Sequence, residues 1–476
     1  MSRFWKWTGI GVGALALIGA GVGYFTPYGA FAVHGPSVGA GVAAEIACAG
    51  VFVSHRKLDD VVRDDVIRLS PLTKGNRYEL GRHSVSVTAL GLVTRTAIYR
   101  PQVGCTLLVD SDPATLARQV EGVSAPPSAS NAQPWPAGDV VDLTAVPAGV
   151  DRAVLDRAVA DSFEDNTPNR DIDTRAIVVV YDGRIVAERY AAGFDRNTRL
   201  LGWSMSKSVT AALIGTLIAS GKLELDMQAP VREWNEKFDP RSNITLRQLL
   251  NMSSGLAFYE PYDPGSDSTK MLFESHDMGA YAAAKPLEHP PGTFWSYSSG
   301  TANILARLVF QQTGGTLATN EAYAHKVLFD PLGMSSATME PDESGNFVGS
   351  SYFYATARDW ARFGLLFLDR GTINGHRVLP ESFVDFVRTP APADPRKGYG
   401  GLFWLNGLME AGSKQRWFPH LPTDMYAAEG HNDEFVAIFP SRNTVIVRLG
   451  WTVGSASFDR DKHFAAILKA LPVPSH

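Results

Sequence analysis

The chain of 476 residues has very little cysteine: only Cys48 and Cys105 are present. In an oxidising compartment a lone pair of this kind commonly forms a disulfide, which we predict here; the alternative is two unrelated buried thiols. Charge of one sign is not concentrated anywhere either, because the net charge of −5 is spread along the chain without a basic stripe. Nothing in the sequence would neutralise a phosphate backbone, so nucleic acid is not an expected partner.

Several catalytic motifs are also missing. There is no His-Glu-x-x-His, and the 11 histidines form no cluster with metal-ligand spacing, so we predict neither a metal nor a cofactor. The segment 215–222 superficially resembles a phosphate-binding loop, but it is one residue too long and Leu223 replaces Ser or Thr. A Gly-x-Ser-x-Gly elbow is absent around Ser204, because Ser206 occupies the second glycine position.

Charged residues are absent from a long stretch near the N-terminus. After two basic residues, an apolar run extends from about Thr8 to Thr26, and the next charged residue is Glu45. About 19 residues is close to the minimum for crossing a bilayer, so residues 1–33 are predicted to be a signal or membrane anchor. The basic flank favours a cytoplasmic N-terminus, with the rest of the chain in the periplasm or outside. Ala30-Phe31-Ala32 leaves cleavage open, and a buried core helix is the alternative.

The remaining chain divides into two predicted regions. Residues 34–138 form an N-terminal extension with short strand-like runs, such as 85–93, and end in a Pro-rich linker over 125–138. Residues 139–476 form the main domain. There, two β-branched runs joined by Asp182-Gly183 predict a hairpin, and two further strands and a helix lie near the C-terminus. We therefore expect an α+β fold, in which both ends of the domain complete one antiparallel sheet and the middle is mostly helical.

The strongest chemical signal is Ser204-Met205-Ser206-Lys207 at the start of an apolar helix that extends to Ser220. Ser204 and Lys207 are three residues apart and lie one turn from each other on the same face. The helix N-terminus supplies free N–H groups for an oxyanion, and burial would lower the lysine pKa so that Lys207 accepts the serine proton. The alternative is that Ser204 caps the helix while Lys207 points into solvent.

A second candidate group follows in a loop that precedes another apolar helix, Pro291 to Gly300. It presents Tyr297, with Ser299 two residues later. A tyrosine beside a lysine would have its phenolate favoured and could act as a general acid/base. The alternative for Tyr297 is an ordinary aromatic residue packed on the loop.

Four segments together resemble the serine β-lactamase-related family, over roughly residues 145 to 476. They are similar to class C-like esterases and 6-aminohexanoate-dimer (nylon oligomer) hydrolases, and they are Trp203 to Thr210, Ile244 to Leu256, Pro291 to Asn303 and Phe353 to Gly371. The resemblance implies a β-lactamase/transpeptidase-like fold, an acylated Ser204, and proton transfer by Lys207 and Tyr297. It also places Ser299 in the substrate site, where many members have Asn.

The chain departs from the family at its third motif, a Lys-Thr-Gly or His-x-Gly strand. Residues 425–427, Met-Tyr-Ala, stand in that register, so the usual partners of a β-lactam carboxylate are missing. We expect the backbone N–H groups of Ser204 and Ala428 to hold the oxyanion. His431 and Arg448 are candidate substrate-binding residues; a hydrogen-bonded structural His and a structural ion pair are the respective alternatives.

These residues predict a serine hydrolase that cleaves small amides or esters through an acyl-enzyme. A penicillin-binding D-Ala peptidase or β-lactamase is the second hypothesis, and a catalytically silent, membrane-anchored binding protein is the third. The expected partners are a small amide or ester substrate and the membrane. The actual substrate and the oligomeric state do not follow from the sequence.

Overall fold

The computed structural model of the protein describes residues 27–124, 132–164 and 171–474. The predicted apolar segment 8–26 lies outside these residues. The helices are α1 (Pro27–Phe52), α2 (Leu58–Val61), α3 (Ile67–Leu69), α4 (Pro113–Gln119), α5 (Arg152–Asp161), α6 (Met205–Ala219), α7 (Leu246–Leu250), α8 (Asp267–Glu274), α9 (Met278–Ala283), α10 (Ser299–Gln312), α11 (Leu317–Ala324), α12 (Asp330–Leu332), α13 (Ala357–Leu368), α14 (Glu381–Val387) and α15 (Arg460–Lys469). The strands are β1 (Arg77–Leu80), β2 (Ser84–Ala89), β3 (Val93–Arg100), β4 (Gly104–Leu107), β5 (Thr174–Tyr181), β6 (Arg184–Tyr190), β7 (Leu200–Leu201), β8 (Thr338–Met339), β9 (Phe353–Ala355), β10 (Thr372–Ile373), β11 (His376–Arg377), β12 (Trp404–Leu405), β13 (Tyr426–Gly430), β14 (Glu434–Phe439) and β15 (Thr444–Gly450).

The main sheet has six antiparallel strands in the order β12-β13-β14-β15-β5-β6. The predicted hairpin is confirmed: β5 and β6 pair across Asp182 and Gly183, whose φ angles of 51° and 70° suit a tight turn. The C-terminal strand β15 pairs with β5, so both ends of the domain complete one sheet, as predicted. Successive side chains of β15 point to opposite faces of the sheet, and the strand is apolar on both faces because each face is covered by a core. Val445 and Val447 join the larger core, while Ile446 joins a second core with α5 and α15.

The N-terminal extension packs α1 across the antiparallel sheet β1-β2-β3-β4. A disulfide joins Cys48 in α1 to Cys105 in β4. Among the described residues α1 is the one helix long and apolar enough to cross a membrane, yet 67% of its apolar window is buried inside the protein. Its buried residues belong to the same core as those of α6. Because α1 spans Pro27–Phe52, the predicted boundary between residues 33 and 34 falls inside a helix.

The described part of the predicted Pro-rich linker is not a free linker. Trp135 is 5% exposed and joins the large core. Arg362 on α13 donates hydrogen bonds to the carbonyl oxygens of Pro136 and Gly138, at 3.0 and 2.6 Å. The other described residues of the segment, Ala132, Gln133, Pro134 and Ala137, are exposed, so it is an extended surface segment as predicted that is anchored at Trp135 and Gly138. Residues 125–131 lie outside the described part.

Candidate active site

Ser204 stands between the short strand β7 and the buried helix α6. Strand β7 pairs with β9, and the next N–H, that of Gly202, donates to the Phe353 carbonyl at 2.8 Å. A Cβ at Gly202 would lie 2.4 Å from the Trp360 ring, so only glycine fits there. Trp203 then adopts a φ of +46°, a strained conformation for a bulky residue. This turn places Ser204 immediately before α6.

Ser204 does not cap its helix, because its side chain makes no capping hydrogen bond. Instead, Lys207 Nζ donates to Ser204 Oγ at 2.9 Å. Lys207 is 1% exposed, so the alternative of a solvent-facing lysine is wrong. Its other contacts are the Ser299 hydroxyl and the Ser350 carbonyl, both at 3.1 Å. Burial lowers the pKa of Lys207 from 10.5 to about 8, and the charge of Glu260 opposes that shift.

Tyr297 lies next to both Lys207 and Ser204. Lys207 Nζ is 4.7 Å from the centre of its ring, and its phenol is within hydrogen-bonding reach of Ser204. Burial raises the pKa of Tyr297 well above its ordinary range, and nearby Tyr399 and Glu260 add to the rise. The expectation of a favoured phenolate is therefore wrong for the free protein, because desolvation outweighs the lysine. Tyr297 is held as a neutral phenol, which can donate a proton.

Ser299 connects the lysine to a partly buried carboxylate that the sequence did not suggest. Glu260 accepts hydrogen bonds from the Ser299 hydroxyl at 2.6 Å and from its backbone N–H at 2.7 Å. Burial raises the pKa of Glu260, and Lys207 opposes the rise. The hydroxyl thus bridges Lys207 and Glu260. Glu260 lies in an irregular segment without a motif; only the tertiary fold brings it to α10.

Aromatic residues form the wall behind Tyr297. Its ring stacks on Trp404 at 5.4 Å and meets Tyr399 edge-on at 5.9 Å, measured between ring centroids. Trp295 packs on Tyr399 at 5.5 Å. Rings at these separations attract one another beyond their burial and restrict the rotation of the tyrosine. The phenol is therefore fixed toward Ser204 by packing.

His431 lies in the turn between β13 and β14, next to the Trp203 that precedes the nucleophile. Its ring meets Trp203 edge-on at 5.7 Å and lies 5.8 Å from the Tyr262 ring. Burial lowers the pKa of His431 below its ordinary 6.5, so the imidazole is neutral at pH 7. The following Asn432 and Asp433 both have positive φ. His431 therefore borders the site as a neutral, partly apolar ring.

Arg448 requires a correction, because it cannot bind substrate from its position. It is 0% exposed, and its guanidinium donates to the carbonyl oxygens of Asn432 and Asp433 at 2.9 and 2.6 Å. It also contacts the hydroxyls of Thr174 and Thr452 at 3.1 Å. A charged side chain on an apolar strand usually has buried hydrogen-bond partners. Here these partners include backbone carbonyls of the turn that carries His431. Arg448 is a structural residue that holds this turn.

The remaining predictions concern β13. Ala428 is buried and pairs with Val436, and Gly430, two residues further along, packs so closely on the Gly202 carbonyl that a Cβ would lie 2.2 Å from it. Strand β13 thus runs against the segment before the nucleophile; the oxyanion role of Ala428 stays a prediction. At the Lys-Thr-Gly register, Tyr426 is buried and donates to the Phe367 carbonyl at 2.8 Å.

Comparison with known proteins agrees with this geometry. Residues 155–470 match the Beta-lactamase family model, which is more than half of the chain. The 6-aminohexanoate-dimer hydrolase of Paenarthrobacter ureafaciens is 28% identical over 231 residues, which cover 45% of this chain and 57% of that protein. The D-aminopeptidase of Brucella anthropi is 30% identical over 178 residues, 35% of this chain and 33% of that protein. The chain thus spans little more than half of the first relative and a third of the second.

The fold has solved counterparts. A class C β-lactamase in complex with cefoxitin aligns with a TM-score of 0.51 at 16% identity, over 68% of this chain and 100% of that one. At such identity the likeness shows the fold alone. Together with the family match, it confirms the predicted β-lactamase/transpeptidase-like fold. The chain belongs to the Beta-lactamase family.

Proposed function

We propose that the protein is a serine hydrolase that cleaves amide or ester bonds through an acyl-enzyme on Ser204. The observation that carries the proposal is a buried lysine with a pKa of about 8, whose Nζ lies 2.9 Å from a serine hydroxyl that caps nothing. A nucleophile and base at hydrogen-bonding distance are the geometric requirement for covalent catalysis.

The mechanism follows from the positions of the protons. Neutral Lys207 accepts the proton of Ser204 as Oγ attacks the carbonyl carbon, and backbone N–H groups hold the oxyanion. Tyr297 donates its proton to the leaving nitrogen or oxygen, that bond breaks, and Lys207 returns a proton to the phenol. Water then adds to the acyl carbon and loses a proton to neutral Lys207; the bond between the acyl carbon and Ser204 Oγ breaks, Oγ takes a proton back from Lys207, and the acid is released. The first step uses the neutral form of Lys207, which dominates above its pKa of about 8, whereas Tyr297 starts as a neutral phenol.

Glu260 and Ser299 support this proposal as positioning residues. Ser299 fixes the lysine amine relative to the glutamate, and the negative charge of Glu260 keeps the lysine pKa from falling further. Without that charge, burial alone would lower the lysine's affinity for a proton. The relatives named as a 6-aminohexanoate-dimer hydrolase and a D-aminopeptidase favour an amide bond as the scissile group.

Two alternatives are less well supported. A penicillin-binding peptidase or β-lactamase lacks the strand Lys and Thr, and the buried Tyr426 in that register offers no hydroxyl to a substrate. A catalytically silent binding protein has no need of a serine, lysine and tyrosine within contact of one another. The disulfide favours an oxidising compartment, so we place the hydrolase outside the cytoplasm, tethered by the apolar segment within residues 1–33.

The decisive test uses full-length protein and its Ser204→Ala variant with p-nitrophenyl acetate, following nitrophenol release and intact mass. We expect a burst of nitrophenol and an acetyl adduct in the wild type, and neither in the variant. Equal behaviour of the two proteins would contradict the proposal. Labelling of Ser204 by a fluorescent penicillin would move the peptidase hypothesis to the front.

A further inference from the structure

The largest space beside the candidate site is not formed by the hydrolase domain alone. A cavity of about 480 Å³ lies between α1 of the extension, the segment 69–76, the β2–β3 turn and α8. On the side of the hydrolase domain it is lined by the buried Trp203 and by the exposed Tyr262 and His431. Ligand sites in proteins occupy about 300–1,000 Å³, so this volume suits a small molecule. The N-terminal extension therefore contributes a wall to a space that reaches the catalytic centre.

Three contacts join the cavity to the proposed chemistry. Trp203 is the residue directly before the nucleophile, and His431 packs edge-on against its ring. Tyr262 lies beside His431, and its hydroxyl is within hydrogen-bonding reach of Ser299, which in turn contacts Lys207. The cavity is therefore lined by the residue that directly precedes Ser204 in the chain.

The chemistry of the lining selects the occupant. Among the described residues that line the cavity, none is Asp, Glu, Lys or Arg. The only ionisable lining groups are Tyr262 and His431, and the pKa of His431 is lowered. A charged substrate group would find no counter-charge there, and desolvating it without a partner is costly.

The outer end of the cavity is also apolar, although it is open to solvent. Phe31 on α1 is 49% exposed, Leu72 is 73% exposed and Leu90 is 69% exposed, and all three line the cavity. Clustered exposed apolar side chains mark a surface that something covers. Because they stand at the entrance of a cavity that leads to a nucleophile, the covering group is best explained as part of a substrate.

We propose that this cavity binds the hydrocarbon chain of the substrate, so that the enzyme acts on esters or amides carrying a long apolar chain. The inference rests on the proposed serine hydrolase activity and specifies its substrate class. The chain enters past Phe31, Leu72 and Leu90, and the scissile carbonyl lies at Ser204, beyond Trp203. The extension is thereby a specificity element of the hydrolase.

Gly39 offers a clean way to test the proposal. It lies on α1, lines the cavity, and a Cβ built on it meets nothing within 4 Å. A phenylalanine at this position would fill the space, whereas alanine adds a single methyl group. Both replacements also remove a glycine from a helix, which favours folding. Gly39→Ala is thus the matched control for Gly39→Phe.

The experiment measures kcat/KM of the full-length proteins on p-nitrophenyl esters from acetate to dodecanoate, below their aggregation concentrations. A second series, alkyl acetates of increasing alcohol length, tests a chain carried by the leaving group. For the wild type and Gly39→Ala we expect, in one series, a gain of up to about fourfold for each methylene that enters the cavity. In Gly39→Phe the gain per methylene should collapse relative to that of Gly39→Ala.

The outcomes separate the two proposals. Absence of Ser204-dependent acetate turnover would refute the hydrolase itself. Normal acetate turnover with flat profiles in both series, or a chain-length gain that Gly39→Phe retains, would overturn the hydrocarbon cavity.

Discussion

Two buried groups of ionisable side chains in this molecule invite comparison. One surrounds Ser204; the other lies where the extension meets the hydrolase domain. There, Glu45 on α1 and Glu340 are hydrogen-bonded to each other, and Glu340 also accepts the Cys105 N–H at 2.6 Å. Burial raises the pKa of Glu45 to about 7, and that of neighbouring Glu321 to about 8. Both groups thus carry strongly shifted pKa values.

Their surroundings differ in one respect that matters for function. At the domain contact Glu45 and Glu340 are 2% and 0% exposed, and Arg100 nearby is 3% exposed. At the candidate site the buried Lys207 contacts a serine that is partly exposed. A shifted pKa therefore marks burial, and only access to a nucleophile turns it into a catalytic feature. Substitutions in the group around Ser204 should therefore change the rate, whereas those at the domain contact should change the stability.

The largest expected effect is the loss of the acid at the site. Tyr297→Phe should lower kcat on p-nitrophenyl acetate by about 10²–10⁴, because the leaving group then departs without a proton. Tyr354→Phe is the control, since Tyr354 is also buried and its raised pKa reflects Glu340 and Glu45 as well as burial. An unchanged kcat in Tyr297→Phe, or an equal loss in both variants, would contradict a general-acid role that is specific to Tyr297.

The pH dependence of the wild type comes next. Lys207 must be neutral to accept a proton, and its pKa is about 8. We therefore expect kcat/KM for p-nitrophenyl acetate to rise about tenfold per pH unit below that value and to level above it. A profile that is flat between pH 6 and 9, after correction for spontaneous hydrolysis, would contradict a lysine base.

How far the sequence predicts this site depends on the range of the contacts. Ser204 and Lys207 share one helical turn, so spacing and the apolar character of α6 were enough to pair them. Glu260 lies 39 residues from Ser299 and in no regular element, so only the packed fold shows that they meet. The substrate-binding role predicted for Arg448 was wrong for a related reason. A strand pattern shows that the guanidinium is buried, but it does not show which backbone carbonyls accept its hydrogen bonds.

The same reasoning applies to the extension and the fold. Strand alternation and the Asp182-Gly183 turn predicted the sheet, because both are local signals. The sequence also suggested a break between residues 33 and 34, but helix α1 continues through it. An apolar helix is compatible with a membrane or with a core. The packing of α1 on β2, β3 and β4, and its place in the wall of the cavity, did not follow from its apolar composition.

A smaller effect should follow from removing the charge behind the lysine. Glu260 raises the pKa of Lys207, so Glu260→Gln should lower that pKa and move the rise of kcat/KM to lower pH. At pH 6 the variant could then outpace the wild type, provided that Ser299 still holds the amine. Glu260→Asp keeps the charge and should retain the wild-type midpoint. A midpoint in Glu260→Gln that stays near 8 would refute the electrostatic role.

The smallest effect on rate, and a distinct effect on stability, is expected at the domain contact. The pKa of Glu45 is 4.5 when unfolded and about 7 when folded. Below 4.5 both states are protonated, whereas between about 4.5 and 7 only the unfolded chain loses the proton. The contribution of Glu45 to the free energy of unfolding should therefore fall as the pH rises through this window and stay constant above it, while the raised pKa values of Glu321 and Glu340 extend the decline to higher pH.

Glu45→Gln mimics the protonated side chain and should flatten this dependence in denaturant melts at pH 5 and 7.5, while kcat on the acetate ester stays unchanged. Glu121→Gln, at an exposed position of the same extension, should leave the pH dependence intact. If Glu45→Gln instead changed the pH profile of kcat/KM, the two buried groups would be coupled. The domain contact would then have to be treated as part of the catalytic machinery, because a purely structural carboxyl pair has no means of altering the protonation of Lys207.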